Sequence, residues 1–239
     1  MASYPKTLGV PGTATGRVRP MTRHDVRAAA DLHATNLPHG FFPRLGRRFL
    51  REYYRAFVMS PHAVALASGD NVRLDGMVVG VVSAREHYRW VLRRRGWRLA
   101  LAAAAALLVR PWLLAGFVRG RLPRYVRAVR SLRRRPAEPS GESAAQPADR
   151  YAVLAHVAVD ASARGGGLGA ELADRFAEAV AAAGAGSVRA TTREGDGGAA
   201  GFYERTGWKR LSTTSDWDGH RIVVFQRATA PPSAPARST

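Results

Sequence analysis

Four of the seven residues in Ala163-Arg164-Gly165-Gly166-Gly167-Leu168-Gly169 are glycine, and the stretch separates two apolar runs. A glycine-rich turn that opens a helix leaves free N–H groups at the positive end of the helix dipole. It is therefore a place to hold an anion, phosphate above all. Three phosphate loops compete for this stretch. A P-loop requires Gly-Lys-Ser/Thr at its end, and Leu168-Gly169-Ala170 lacks it. A dinucleotide-binding loop is nominally met by Gly165, Gly167 and Ala170, but belongs in the first strand–helix–strand unit of a long alternating sheet. Here the match lies two-thirds along the chain, after a hairpin, with few strands left. The third pattern, R-x-x-G-x-G, is met by Arg164 to Gly169.

Proton-transfer chemistry has fewer candidates. Tyr203 sits in the segment Phe202-Tyr203-Glu204-Arg205-Thr206-Gly207, His156 lies within the apolar run before the glycines, and Glu86, His87 and His39 stand near turns. The chain of 239 residues contains no cysteine, which excludes disulfides, cysteine–zinc sites and a thiol nucleophile. No metal site is expected.

These residues need elements to position them. Residues 16–21 form a short strand, 23–35 and 43–58 two amphipathic helices, and 63–68 and 77–84 a hairpin. Tyr151–Val159 is too uniformly apolar for a half-exposed strand and is expected at the centre of a sheet. A helix over 167–183, a strand over 187–192, a short helix over 199–206 ended by Gly207, and a hairpin of 208–216 with 221–227 complete the order. Hydrophobic content of 46% is ample for one core.

The loop Arg164–Gly169 behind a strand, together with "GAAGFYERTGW" at Gly198–Trp208, resembles the two signatures of the GNAT superfamily of N-acetyltransferases. The likeness covers about 16–85 and 151–227. It implies an α/β fold with a mixed, mostly antiparallel central sheet flanked by helices, and acetyl-CoA as co-substrate. The backbone of Gly165, Gly166, Gly167, Leu168 and Gly169 would cradle the CoA pyrophosphate, with the charge of Arg164 beside it. The pantetheine arm would lie along Val157, Ala158 and Val159, where the strand parts from its neighbour. The N–H of Val157 is the candidate to polarise the thioester carbonyl. Phe202 and Asp196 fall in the second signature. Asp196 stands where the family often has Asn, which leaves that half of the cofactor site less defined. Tyr203 occupies the family's acid position. The base stays open among His156, Glu86, His87, His39 and a relayed water. Without cysteine, the amine must attack the thioester directly.

In that family the strand ending near Arg85 turns directly into the central strand. Here about 65 residues intervene, 86–150, of which 136–149 read as a flexible linker. Residues 85–135 hold fifteen arginines and one acid, Glu86, and so carry +14 of the net charge of +19. Tyr88–Val109 reads as one helix, Pro111 as a break, and 121–135 as an arginine-rich helix. The clean apolar run Leu99–Val109 is too short to cross a bilayer. The insertion reads as a helical cap on the domain or on a second subunit, as a peripheral contact with an anionic membrane, or as a binder of an anionic acceptor. Residues 1–15 and 228–239 read as loose tails, and nothing in the first residues resembles a signal peptide, so a cytoplasmic protein is expected, soluble or peripheral to the membrane. A homodimer is compatible with the cap. The competing reading is a nucleic-acid- or membrane-surface-binding protein on an inactive fold, but no nucleic-acid motif accompanies the charge.

Overall fold

The computed structural model describes residues 17–38, 40–133, 151–195, 199–216 and 219–229. His39, Asp196, the 136–149 linker and nearly all of both tails lie outside these residues.

Seven strands form one sheet in the order β1-β2-β3-β4-β5-β7-β6, with β1 Val18–Pro20, β2 Ala63–Gly69, β3 Leu74–Val81, β4 Tyr151–Val159, β5 Ser187–Arg193, β6 Lys209–Ser215 and β7 Arg221–Ala228. Only β4 and β5 run parallel; the other neighbours are antiparallel. The mixed, mostly antiparallel sheet expected from the sequence is therefore present, with the apolar strand β4 at its centre.

Helices cover both faces. On one face, α1 (Val26–Asn36) and α3 (Gly46–Met59) bury Ala29, Ala30, Leu50, Tyr54 and Phe57 against Met77, Val79 and Ala158 of the sheet. A short α2, Phe41–Arg44, links them. On the other face, α8 (Leu168–Ala182) sets Leu172, Phe176 and Val180 against β2 to β5. The short α9, Ala200–Arg205, adds Tyr203 to the same core.

The insertion is helical: α4 Ala84–Arg94, α5 Gly96–Leu108, α6 Pro111–Gly116, a π-helical turn Phe117–Arg121, and α7 Leu122–Arg133. The expected single helix over Tyr88–Val109 is two, broken at Arg95. That side chain is buried, where it donates to Glu52 Oε2 at 2.9 Å. A buried guanidinium needs an anionic partner, and reaching Glu52 on α3 takes precedence over continuing the helix. Ser83 caps α4 by accepting from the Glu86 N–H.

Strand β4 contains a bulge. Val79 pairs with His156 and Gly80 with Leu154, so Ala155 is the extra residue. The bulge turns the strand over. Ala152 and Leu154 pack with α8, whereas beyond it Val157 and Val159 do. Gly80 faces this irregularity, and a Cβ there would lie 2.3 Å from Val153 O and 2.4 Å from Phe176 Cζ.

Candidate active site

Strands β4 and β5 pair from Tyr151↔Ser187 to Leu154↔Ala190, and the ladder stops there. Beyond it β5 stays paired with β7 through Arg193, while β4 stays paired with β3 through Val159. The two parallel strands therefore part at Leu154, and Ala155–Val159 borders the gap. The direction of the backbone follows from one bond. Asp160 N donates to Asp75 O at 2.8 Å, on the β3 side. Backbone groups alternate along a strand, so the N–H groups of Val157 and Val159 face away from β3, into the gap. Val159 O, on that same side, accepts from Arg164 Nε at 3.2 Å.

Directly after β4 the chain enters the glycine loop. Asp160 accepts from Ser162 N at 3.1 Å and Ser162 Oγ at 2.6 Å, which makes a 3₁₀ turn over Ala161–Ala163. Arg73 reaches across from the β2–β3 connection to Asp160 at 3.1 Å. These bonds hold the Asp160 carboxyl below its ordinary range. Gly165 and Gly167 then adopt φ of 86° and 76°, the left-handed region that side chains resist. Gly167 stands at the N-cap of α8, so the first N–H groups of that helix open onto the loop. A cation already lies close, with Arg17 Nη1 3.8 Å from where a Cβ of Gly166 would sit. Arg164 ties the loop back to α1 through Asn36 Oδ1 at 2.7 Å. Gly169 has a different task. A Cβ there would press on Phe202 Cε2 at 3.2 Å, so this glycine lets α9 approach α8. Leu168 is buried in the core and contributes only its backbone to the loop.

Tyr203 is buried, stacked on Phe225 at 5.3 Å and edge-on to Phe202 and Trp208. Phe225 pairs with Ala190, the last β5 residue joined to β4. The Tyr203 ring thus stands beside the point where the strands part. Burial pushes its phenol well above the ordinary value, so the hydroxyl keeps its proton.

His156 lies on the opposite face of β4 from Val157. Its Nε2 shares a 2.9 Å hydrogen bond with Tyr53 Oη, and its ring meets that of His33 at 4.8 Å. His33 Nδ1 in turn shares a 2.6 Å bond with Tyr54 Oη. Desolvation holds His33 at about 4, and desolvation together with His33 holds His156 at about 3. Both rings are neutral at neutral pH. They wall a cavity of about 230 Å³ with Gly40, Phe41, Phe42, Pro43, Arg121 and Tyr125. Arg121 stacks over the Phe41 ring at 4.4 Å. The insertion therefore lines, through Arg121 and Tyr125, a mostly apolar pocket that His156 of β4 also lines.

Glu86 and His87 do not line this cavity. His87 is buried on α4 with Nδ1 bound to Ser60 Oγ at 2.9 Å, and Glu86 meets His62 at 3.4 Å. The sequence reading missed His33, Tyr53, Arg121 and Tyr125. Tyr53-Tyr54 on the apolar stripe of α3 was the available signal, since two buried phenols require partners.

Residues 114–208 match the family described as acetyltransferase (GNAT) family. Among solved structures, the chain resembles aminoglycoside 6'-acetyltransferase type Ii, with 14% identity and a TM-score of 0.54 over 90% of this chain and 97% of that one. It also resembles an aminoglycoside 6'-N-acetyltransferase complexed with coenzyme A, at 12% identity and TM-score 0.53, over 91% and 99%. A third is an acetyltransferase of the GNAT family from Desulfovibrio desulfuricans, at 13% identity and TM-score 0.51, over 89% and 98%. No curated protein matches. Over residues 114–208 the chain is similar to GNAT-family acetyltransferases, and its fold is the one these solved structures share.

Proposed function

We propose that the protein is an acetyl-CoA-dependent N-acetyltransferase, which transfers acetyl directly to a primary amine held in the cavity beside His156. One observation carries this reading. The gap between β4 and β5 has the Val157 N–H facing into it and leads straight into a glycine loop at a helix N-terminus. An extended acyl-pantetheine arm can pair with Val157 and Val159 while the pyrophosphate meets the N–H groups around Gly165 to Gly169. Arg17 and Arg164 add positive charge there. An aminoglycoside 6'-N-acetyltransferase of similar fold forms a complex with coenzyme A, which supports acetyl-CoA as the co-substrate.

The amine nitrogen attacks the thioester carbonyl, and the developing oxyanion is received by the Val157 N–H. Collapse of the tetrahedral intermediate breaks the C–S bond, and the departing thiolate takes the proton that Tyr203 holds at the parting of the strands. The products are an N-acetyl amine and CoA. His156, held neutral at about 3, is a weak base. Its part is to hydrogen-bond an acceptor that arrives as the free amine, while solvent takes the surplus proton from the amine and returns one to Tyr203.

Isothermal titration with acetyl-CoA tests the reading, beside a Gly167→Glu variant that sets a carboxylate among the loop amides. Saturable binding, weakened at least about tenfold in a variant of unchanged circular dichroism, supports it. Equal binding by both proteins, or none by the folded parent, refutes it.

A further inference from the structure

Helix α5 is apolar on both sides, yet only one side is covered. Its inner residues Leu99, Ala102, Ala106 and Leu107 pack on Leu45 and Phe49 beside α3. Its outer face carries Trp97, Leu101 and Leu108, which are 63%, 62% and 75% exposed. The chain continues into Val109 and Trp112, 70% and 72% exposed. A helix that is apolar all round normally lies within a core, and a run of exposed large apolar residues marks a contact surface. No helix among the described residues is long and apolar enough to cross a membrane.

The charge around this face selects its occupant. Arg93 and Arg94 are exposed on the last turn of α4, Arg98 lies over the Trp97 ring at 5.0 Å, and no acid follows Glu86 within the insertion's helices. A second copy would bring the same +19 charge, concentrated in the same segment, against this one. An anionic bilayer surface complements it. Tryptophans at the rim of an apolar helix, with arginines beside them, suit the headgroup boundary, where the indole sits at the interface and the guanidinium meets phosphate.

We propose that the α5–α6 segment docks the protein on anionic lipid bilayers through Trp97, Leu101, Leu108 and Trp112, lying in the interface without crossing it. The surface is independent of the acetyl-CoA site, so each can fail without the other.

The full chain is sedimented with vesicles of equal parts phosphatidylglycerol and phosphatidylcholine, and with vesicles of phosphatidylcholine alone. Co-sedimentation with the anionic vesicles only is expected, reduced in about 1 M salt, where charges are screened beyond roughly 3 Å. A Trp97→Ser/Trp112→Ser double variant, altered only at exposed positions, is expected to partition about tenfold less while keeping its circular dichroism and acetyl-CoA affinity. Three results overturn the proposal. The first is no binding to anionic vesicles. The second is undiminished binding by the double variant, which means adsorption by charge alone. The third is sedimentation velocity showing a dimer that the same variant dissolves, which gives the face to a second copy.

Discussion

Acidification offers a test of buried His33 and His87 and of half-buried His156, because the three are neutral for the same physical reason. Desolvation comes first for each. It holds His33 and His87 at about 4 and His156 at about 3, the neighbouring His33 adding to the shift of His156 and His62 to that of His87. Unfolded, each returns to its ordinary value of about 6.5. Since the folded values are depressed, the unfolded chain binds more protons, and stability falls as pH drops below about 6.5. The loss continues until the folded values are reached. At about pH 5 an unfolded histidine is about 1.5 pH units below its titration point, while all three folded rings are still largely neutral. At 1.36 kcal/mol per unit, each contributes a loss of about 2 kcal/mol, and the three together about 6. The figure is insensitive to the folded values so long as they stay well under 5. Asp25, which the bonds from Arg19 and Thr22 hold at about 2 against the effect of burial, remains ionised throughout this window. A loss of about 6 kcal/mol is comparable to the whole stability of many domains. Urea unfolding at about pH 7.5 and pH 5 measures it, with the m-value as a check that the unfolded state is unchanged. His87→Gln removes one titrating ring far from the cavity and is expected to flatten the difference by about 2 kcal/mol. A total loss under about 2 kcal/mol, or an unchanged slope in that variant, would refute the reasoning.

Three further outcomes follow from the geometry. Tyr203→Phe is expected to lower kcat by about a hundredfold in a steady-state acetyl-transfer assay, with acetyl-CoA affinity unchanged by titration. Gly80→Ala places a methyl group 2.3 Å from Val153 O and 2.4 Å from Phe176 Cζ. It should cost about 3 kcal/mol in chemical denaturation, since neither the strand backbone nor a core ring can yield. Arg121→Ala, on the cavity wall contributed by the insertion, should raise the KM for the amine about tenfold or more and leave that for acetyl-CoA unaltered, as steady-state kinetics with each substrate varied would show.

How much of this was legible depended on whether a feature is local. The glycine loop, α8 and the "FYERTG" helix announce themselves by turn chemistry and apolar spacing, and the structure places them where that reading puts them. Strand β4 announced its central position, but its uniform apolarity hid the bulge at Ala155, because a strand with no polar alternation carries no record of which side each residue faces. Arg95 broke a helix that the sequence ran through, since the deciding partner, Glu52, lies 43 residues away. Gly169 was legible as glycine but not in its purpose, which is set by Phe202 on another helix. The cavity was the least visible feature. Its walls come from α1, α2, β4 and the end of the insertion, and no single window of sequence contains two opposite sides of it.

Acetyl-CoA is proposed to lie in the gap between β4 and β5 with its phosphates on the glycine loop. Hydrogen exchange followed with and without acetyl-CoA tests this placement most directly. Slowed exchange is expected at the Val157 and Val159 amides and across Gly165–Gly169, with β1 and β6 unchanged. Binding that leaves those amides unprotected, or that protects the α5–α7 helices instead, would contradict it.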